Sequence, residues 1–164
     1  MGSGIAEVCA RAGVDVTVVE ADEERSERSR AAIEKSLDRA VRGGKLERDD
    51  RTAAGERLAF SSSLEDLEGA DAAIEAIIED ERAKRELFVR LDEILPDAQF
   101  LASNTSSVPI MKLGAGTKQP DRVLGLHFFN PVPVLPLVEI VESLLTSQDT
   151  LLAVTDFAEK TLHK

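Results

Sequence analysis

The sequence predicts an α/β fold built on a doubly wound sheet. Three observations carry this. Short apolar or β-branched runs at residues 14–20, 71–78, 100–103 and 123–126 alternate with segments of helical periodicity. These runs end in residues able to do chemistry, at Glu20, Glu79, 104–107 and His127, and open α/β sheets bind ligands at the carboxyl ends of their strands. The 164 residues, 43% hydrophobic and 31% charged, suit one folded domain over 1–164.

Each element has its own signal. Ile5, Val8, Cys9 and Ala12 are spaced for a helix that Gly13 can end. Residues 14–20, Val-Asp-Val-Thr-Val-Val-Glu, alternate as a strand does. A helix, a strand and a terminal acid form the latter half of a Rossmann mononucleotide unit. There a glycine turn sets a pyrophosphate on a helix N-terminus and an acid binds ribose. Gly2 and Gly4, with Glu20 eighteen residues after Gly2, fit that half. Two glycines alone also suit an ordinary tight helix start, and Glu20 alone a solvated strand end.

Residues 23–43 form a long charged helix with a narrow stripe of Ile33, Leu37, Ala40 and Val41, broken by Gly43-Gly44. Such a helix projects from a domain or packs on a partner. Residues 48–57 are a weak helix and 58–60 a short strand. Ser63 is placed to cap a turn at 64–67. Residues 71–78 read as a buried strand and 81–95 as a helix with Leu87, Phe88, Leu91, Ile94 and Leu95 on one face. Glu79 also suits an acidic helix start. After the strand at 100–103, Ser106 or Ser107 is expected to cap a short helix with Pro109 in its first turn. Gly114 and Gly116 end that helix, and 147–164 hold a last one.

The net charge of −11 argues against a nucleic-acid surface. Cys9 is the single cysteine, so no internal disulfide forms, and an inert buried thiol is expected. No run approaches 18 apolar residues, so no membrane partner is expected and the chain is placed in the cytoplasm. No metal-ligand cluster is predicted.

The stretch 123–139 holds His127, one of two histidines. The apolar run 123–126 leads in, Asn130 and Pro131 stop the strand, and a second run at 137–141 carries Glu139. A strand, turn, strand arrangement returns the carboxylate to the imidazole. A carboxylate on one ring nitrogen fixes the tautomer and makes the other nitrogen a better base. The plain alternatives are a hydrogen-bonded core histidine and a solvent-facing edge glutamate.

His127-Phe128-Phe129-Asn130-Pro131, preceded by Ala102-Ser103-Asn104-Thr105-Ser106-Ser107, resembles the NAD-binding domain of the 3-hydroxyacyl-CoA dehydrogenases. The stretch 131–139, Pro-Val-Pro-Val-Leu-Pro-Leu-Val-Glu, is similar to the 3-hydroxybutyryl-CoA dehydrogenase type. The likeness covers nearly the whole chain. It implies NAD as cofactor and an L-3-hydroxyacyl-CoA, of the 3-hydroxybutyryl type, as the partner molecule in fatty-acid metabolism and β-oxidation. By resemblance His127, Glu139 and Ser106 are catalytic. Gly2, Gly4, Glu20, Ala76, Glu79, Lys84, Ser106 and Asn130 bind the cofactor. Ser36, Arg42, Lys45 and Ser106 bind the acyl-CoA, although Gly43 stands where the family has a lysine.

The resemblance also implies that the family's first strand, with two further glycines, and a C-terminal helical domain that forms the homodimer are missing. The isolated chain is therefore expected to be marginally folded, to bind NAD poorly and to show no turnover. A non-catalytic fragment or binding module is the alternative function. A Rossmann dehydrogenase of simple hydroxy acids is a third, opposed by the serine and His-Phe-Phe-Asn-Pro motifs.

Overall fold

The computed structural model describes residues 1–164. The chain divides into two units, Met1–Asp66 with Asn130–Leu135, and Leu67–Phe129 with Pro136–Lys164.

In the first unit, α1 (Gly2–Arg11) ends in a Schellman turn. Gly13 takes φ 90°, its N–H bonds Ala10 O, and Val14 N–H reaches back to Cys9 O. A side chain at Gly13 would be strained there. Strand β1 (Val16–Val19) is shorter than the alternating run suggests and pairs in parallel with β2 (Leu58–Ser61). Helix α2 (Glu23–Arg42) is capped by Asp22, which accepts from Arg25 N–H at 2.8 Å. Glu23 and Glu24 lie in its first turn and Arg39 and Arg42 in its last, which complements the helix dipole. The helix expected to project is anchored along one face. Ile33 and Leu37 are buried with Ala6, Ala10, Val18 and Ala54, the last from α3 (Arg48–Glu56). Gly4 lets α1 approach the 130–135 segment, since a β-carbon on it would stand 3.1 Å from Val132 Cβ. The cap expected from Ser63 is not made: its hydroxyl donates to Glu65, and Ser61 Oγ accepts from Ser63 N–H instead. A short hydroxyl can satisfy the backbone two residues on, so Ser61 takes the turn first.

In the second unit, β3 (Ala72–Glu75), β4 (Phe100–Ser103) and β5 (Val123–Phe128) are parallel. Strand β6 (Val138–Val141) closes the edge antiparallel to β5. The first unit thus holds a two-stranded parallel sheet, β1–β2, and the second a four-stranded sheet in the order β3–β4–β5–β6. The expected strand at 71–78 stops at Glu75. There the Glu75 carboxylate accepts Ile77 N–H at 2.6 Å and turns the backbone out of the sheet. Helix α4 (Glu81–Ile94) begins under an Asp80 cap that accepts Ala83 N–H at 2.8 Å.

Buried Arg122 ties the end of α4 to the start of β5. Its guanidinium donates to the carbonyls of Asp92, Leu95, Pro96 and Ala98 and to Asp92 Oδ1. Burial would raise the Asp92 carboxyl, but the Arg122 hydrogen bond and backbone donors outweigh it and hold it below its ordinary value.

Helix α5 (Ile110–Gly114) starts without a side-chain cap. Neither Ser106 nor Ser107 caps it, and Pro109 precedes it rather than lying in its first turn. Thr105 Oγ1 accepts from Ser107 N–H and Val108 N–H, so the loop is closed before the helix starts. Gly125 of β5 brings β6 and α5 close: a β-carbon there would lie 2.9 Å from Val141 Cβ and 3.0 Å from Ile110 Cδ1. The last helix, α6 (Gln148–Asp156), is capped by Ser147 and runs into a wider π turn, Phe157–Thr161, whose Phe157 packs on Phe100.

Candidate active site

Strand alternation fixes which β5 residues share a face. Val123, Gly125 and His127 face the α5 side, while Leu124, Leu126 and Phe128 are buried on the other. In the β5–β6 ladder His127 lies directly opposite Glu139. Their side chains therefore meet, with Nδ1 2.9 Å from Oε2. His127 is 21% exposed and Glu139 54%, so the ring is sheltered and the carboxylate is wetted. Phe129 leans on the ring at 4.8 Å between centroids. A carboxylate at Nδ1 leaves Nε2 as the acceptor that can take a proton from outside.

The loop after β4 is pinned at its start, on both sides of Asn104. Asn104 N–H donates to Glu75 O at 2.8 Å, and Asn104 Oδ1 accepts Phe128 N–H at 2.7 Å. The second bond carries the β4–β5 pairing past Ser103 and secures the strand end beside His127. Ser106 and Ser107 are exposed on this loop, and one carboxylate oxygen gathers it. Glu79 Oε1 accepts from Thr105 Oγ1, Ser106 N–H at 3.0 Å, Ser107 N–H at 3.1 Å and Ser107 Oγ at 2.9 Å. Behind it stands Lys84, 1% exposed, with Nζ 2.7 Å from Glu75 Oε1 and 3.3 Å from Glu79 Oε2. Burial pushes the Glu79 carboxyl up, but the Thr105, Ser107 and Lys84 hydrogen bonds and the Lys84 charge prevail and bring it down to about 2. The loop is thus held by an anion at any ordinary pH.

In the first unit, Glu20 is half-buried just past the end of β1. Its Oε1 accepts Ser29 Oγ at 2.5 Å, and Ser3 Oγ lies 3.3 Å from Ser29 Oγ. The acid and the first turn of α1, which starts at Gly2, are therefore joined by hydroxyls. Gly4 N–H bonds back to Met1 O at 2.9 Å, and the start of a helix favours an anion through its dipole. Ser36 is half-buried on α2, while Arg42 and Lys45 are exposed at its end and Asn130 is exposed just beyond β5. Ala76 is half-buried where the chain leaves β3.

Sequence reasoning missed Glu75, Thr105 and the bond from Asn104 to Phe128. A charged residue inside the otherwise apolar run 71–78 was the available signal for Glu75.

The family model of the 3-hydroxyacyl-CoA dehydrogenase NAD-binding domain matches residues 1–164. The chain belongs to this family. A 3-hydroxybutyryl-CoA dehydrogenase of Mycobacterium tuberculosis is 54% identical over 166 residues, covering 100% of this chain and 58% of that protein. The mitochondrial hydroxyacyl-coenzyme A dehydrogenase of Sus scrofa is 39% identical, over 100% of this chain and 54% of its own. Among solved structures, M. tuberculosis FadB2 superposes with a TM-score of 0.97 at 54% identity, covering 100% of this chain and 58% of that one. The (S)-3-hydroxybutyryl-CoA dehydrogenase of Ralstonia eutropha superposes with a TM-score of 0.95 at 40% identity, with the same coverage. The chain thus spans somewhat over half the length of these relatives.

NAD is the cofactor of this 3-hydroxyacyl-CoA dehydrogenase domain, and the residues present fit it. A half-buried carboxylate past β1 can accept ribose hydroxyls and repels a 2′-phosphate. The α1 N-terminus, opened by Gly2, suits a pyrophosphate. No helix is long and apolar enough to cross a membrane, and no group of three or more metal-ligating side chains occurs.

Proposed function

We propose that these residues serve the NAD-dependent oxidation of an L-3-hydroxyacyl-CoA, specifically 3-hydroxybutyryl-CoA, to the 3-oxoacyl-CoA, a step of fatty-acid metabolism. The observation that carries the reading is the 2.9 Å contact between His127 Nδ1 and Glu139 Oε2 across paired strands. Glu139 holds the proton on Nδ1 and turns Nε2 toward the substrate. His127 takes the C3 hydroxyl proton at Nε2, and Glu139 then faces the imidazolium that results. Bound NAD supplies the acceptor for the C3 hydride. Ser106 donates to the reacting oxygen and touches the cofactor, and Asn130 orients the nicotinamide end. Gly2, Gly4 and Glu20 hold the adenosine and pyrophosphate portions. Ala76, Glu79 and Lys84 are read as cofactor contacts by their resemblance to the family's. Ser36, Arg42 and Lys45 on and after α2 serve the CoA portion. What supports this assignment is the resemblance of each position together with the placements described above.

The test is kinetic. In an enzyme of the relatives' full length that carries these residues, His127→Gln is expected to lower kcat by roughly 10²–10⁴, the usual range for a general base. Calorimetric NAD affinity should be preserved. Glu139→Gln should lose less. Turnover of His127→Gln near that of the parent would refute the mechanism.

A further inference from the structure

We propose that Glu75 and Lys84 are positioning residues that hold the Ser106 loop through the Glu79 carboxylate. This rests on the reading of Ser106 as a substrate and cofactor contact. Both Lys84 and Glu75 are essentially without solvent, and each has charged or polar partners. Glu75 Oε1 takes the Lys84 ammonium and Ile77 N–H, and Oε2 takes Ser103 Oγ at 2.6 Å. Such a pair is a poor stabiliser, because desolvating two ions offsets their attraction and an apolar pair often does as well.

Its effect lies in what it aims. Glu75, fixed in β3, sets the ammonium at one point, and the same ammonium takes Glu79 Oε2. With that oxygen held, Oε1 is left to collect four donors from Thr105, Ser106 and Ser107. A protonated carboxyl could not accept them all, so the cation and the four donors require each other. The circuit closes through Ser103. Its hydroxyl donates to Glu75 and accepts Thr105 N–H at 3.2 Å. The backbone of Ser106 is thereby located from β3, α4 and β4 together. A buried Lys84 reaches the chemistry through Glu79.

The double variant Glu75→Gln/Lys84→Met removes both buried charges while keeping their volume. In the 164-residue chain, amide hydrogen exchange at Ser106 and Ser107 should accelerate about tenfold, the scale of a lost charge-assisted hydrogen bond. Amides of β4 should exchange as in the parent, and cooperative unfolding should remain. The groups facing Glu79 are Lys84 of α4 and the hydroxyls of Thr105 and Ser107, with Asp80 beside it. Its carbon-13 titration should therefore rise from about 2 toward the ordinary carboxylate range. A folded double variant with Ser106 and Ser107 as protected as in the parent overturns the proposal. Thr105→Val gives a second route without buried charge, with Thr105→Ser expected to restore protection. A double variant that cannot fold, together with Thr105→Val that leaves both amides protected, also overturns it. Calorimetry with NAD on an enzyme of the relatives' full length that carries these residues separates the two readings: loss of protection in the variant without NAD binding by that enzyme would refute the functional assignment and leave the anchoring intact.

Discussion

Gly125→Ala is a small change with a computable consequence. The added β-carbon would stand 2.9 Å from Val141 Cβ and 3.0 Å from Ile110 Cδ1, where carbon atoms normally rest about 3.5–4.0 Å apart. Ile110 can rotate its terminal methyl away. Val141 Cβ cannot, because it is fixed to the β6 backbone that pairs with Gly125. Strand β6 must therefore retreat by several tenths of an ångström. Overpacking of this kind costs about 1–3 kcal/mol, a substantial part of the 5–15 kcal/mol that holds a typical domain. The retreat falls two residues from Glu139 on the same strand, so it should also lengthen the contact to His127. Urea unfolding measures the first effect, and nitrogen-15 shifts of the His127 ring measure the second. A variant within about 0.5 kcal/mol of the parent, with an unchanged His127 ring, would refute the steric argument, since that is the range of an ordinary surface substitution.

Three other outcomes are expected. In an enzyme of the relatives' full length that carries these residues, Glu20→Ala should weaken NAD binding and narrow the preference over NADP, read by calorimetry with both cofactors; a parent that prefers NADP would contradict the role given to Glu20. The depressed Glu79 carboxyl stabilises the folded state above its unfolded value, and that contribution should disappear as pH falls from about 4.5 through about 2. Ser106 and Ser107 amide protection should therefore persist at pH 5 and fall only as pH drops through about 2, and protection lost already near pH 5 would argue against the anion. Arg122→Met should cost about 3–5 kcal/mol in thermal or urea unfolding, because Asp92 and four carbonyls lose a buried partner. Arg122→Met/Asp92→Leu should recover part of it.

How much of this was visible in the chain depends on the kind of signal. The pairing of His127 with Glu139 was legible because a proline-broken strand pair has few ways to bring an acid back to an imidazole. The α/β alternation was legible from β-branched runs between helical stripes. The end of β3 was not. Ala76, Ile77 and Ile78 are as apolar as a strand needs, and only the Glu75 carboxylate seizing the Ile77 amide takes them out of the sheet. The cap at Pro109 misled for a related reason. Three hydroxyls compete for the same few amides in 105–107, and Thr105 wins through its bonds to Ser107 and Val108. Glu75 was hidden because its partners, Lys84 and Ser103, come from other elements. Its role is set by tertiary contact, and no local periodicity announces it.

The way His127 meets Glu139 has a consequence for divergence. Their separation is set by strand pairing, not by the length of the connector at 129–137. Two residues added between 133 and 137 would raise the cost of closing the loop by only about 0.2 kcal/mol. The acid and the imidazole would remain opposite. One residue added inside β6 would turn Glu139 to the other face and bring a valine or isoleucine against the ring. A change of length between 133 and 137 would therefore leave the pair in place, whereas an insertion or deletion within either strand would abolish the acid–imidazole pair in a single event.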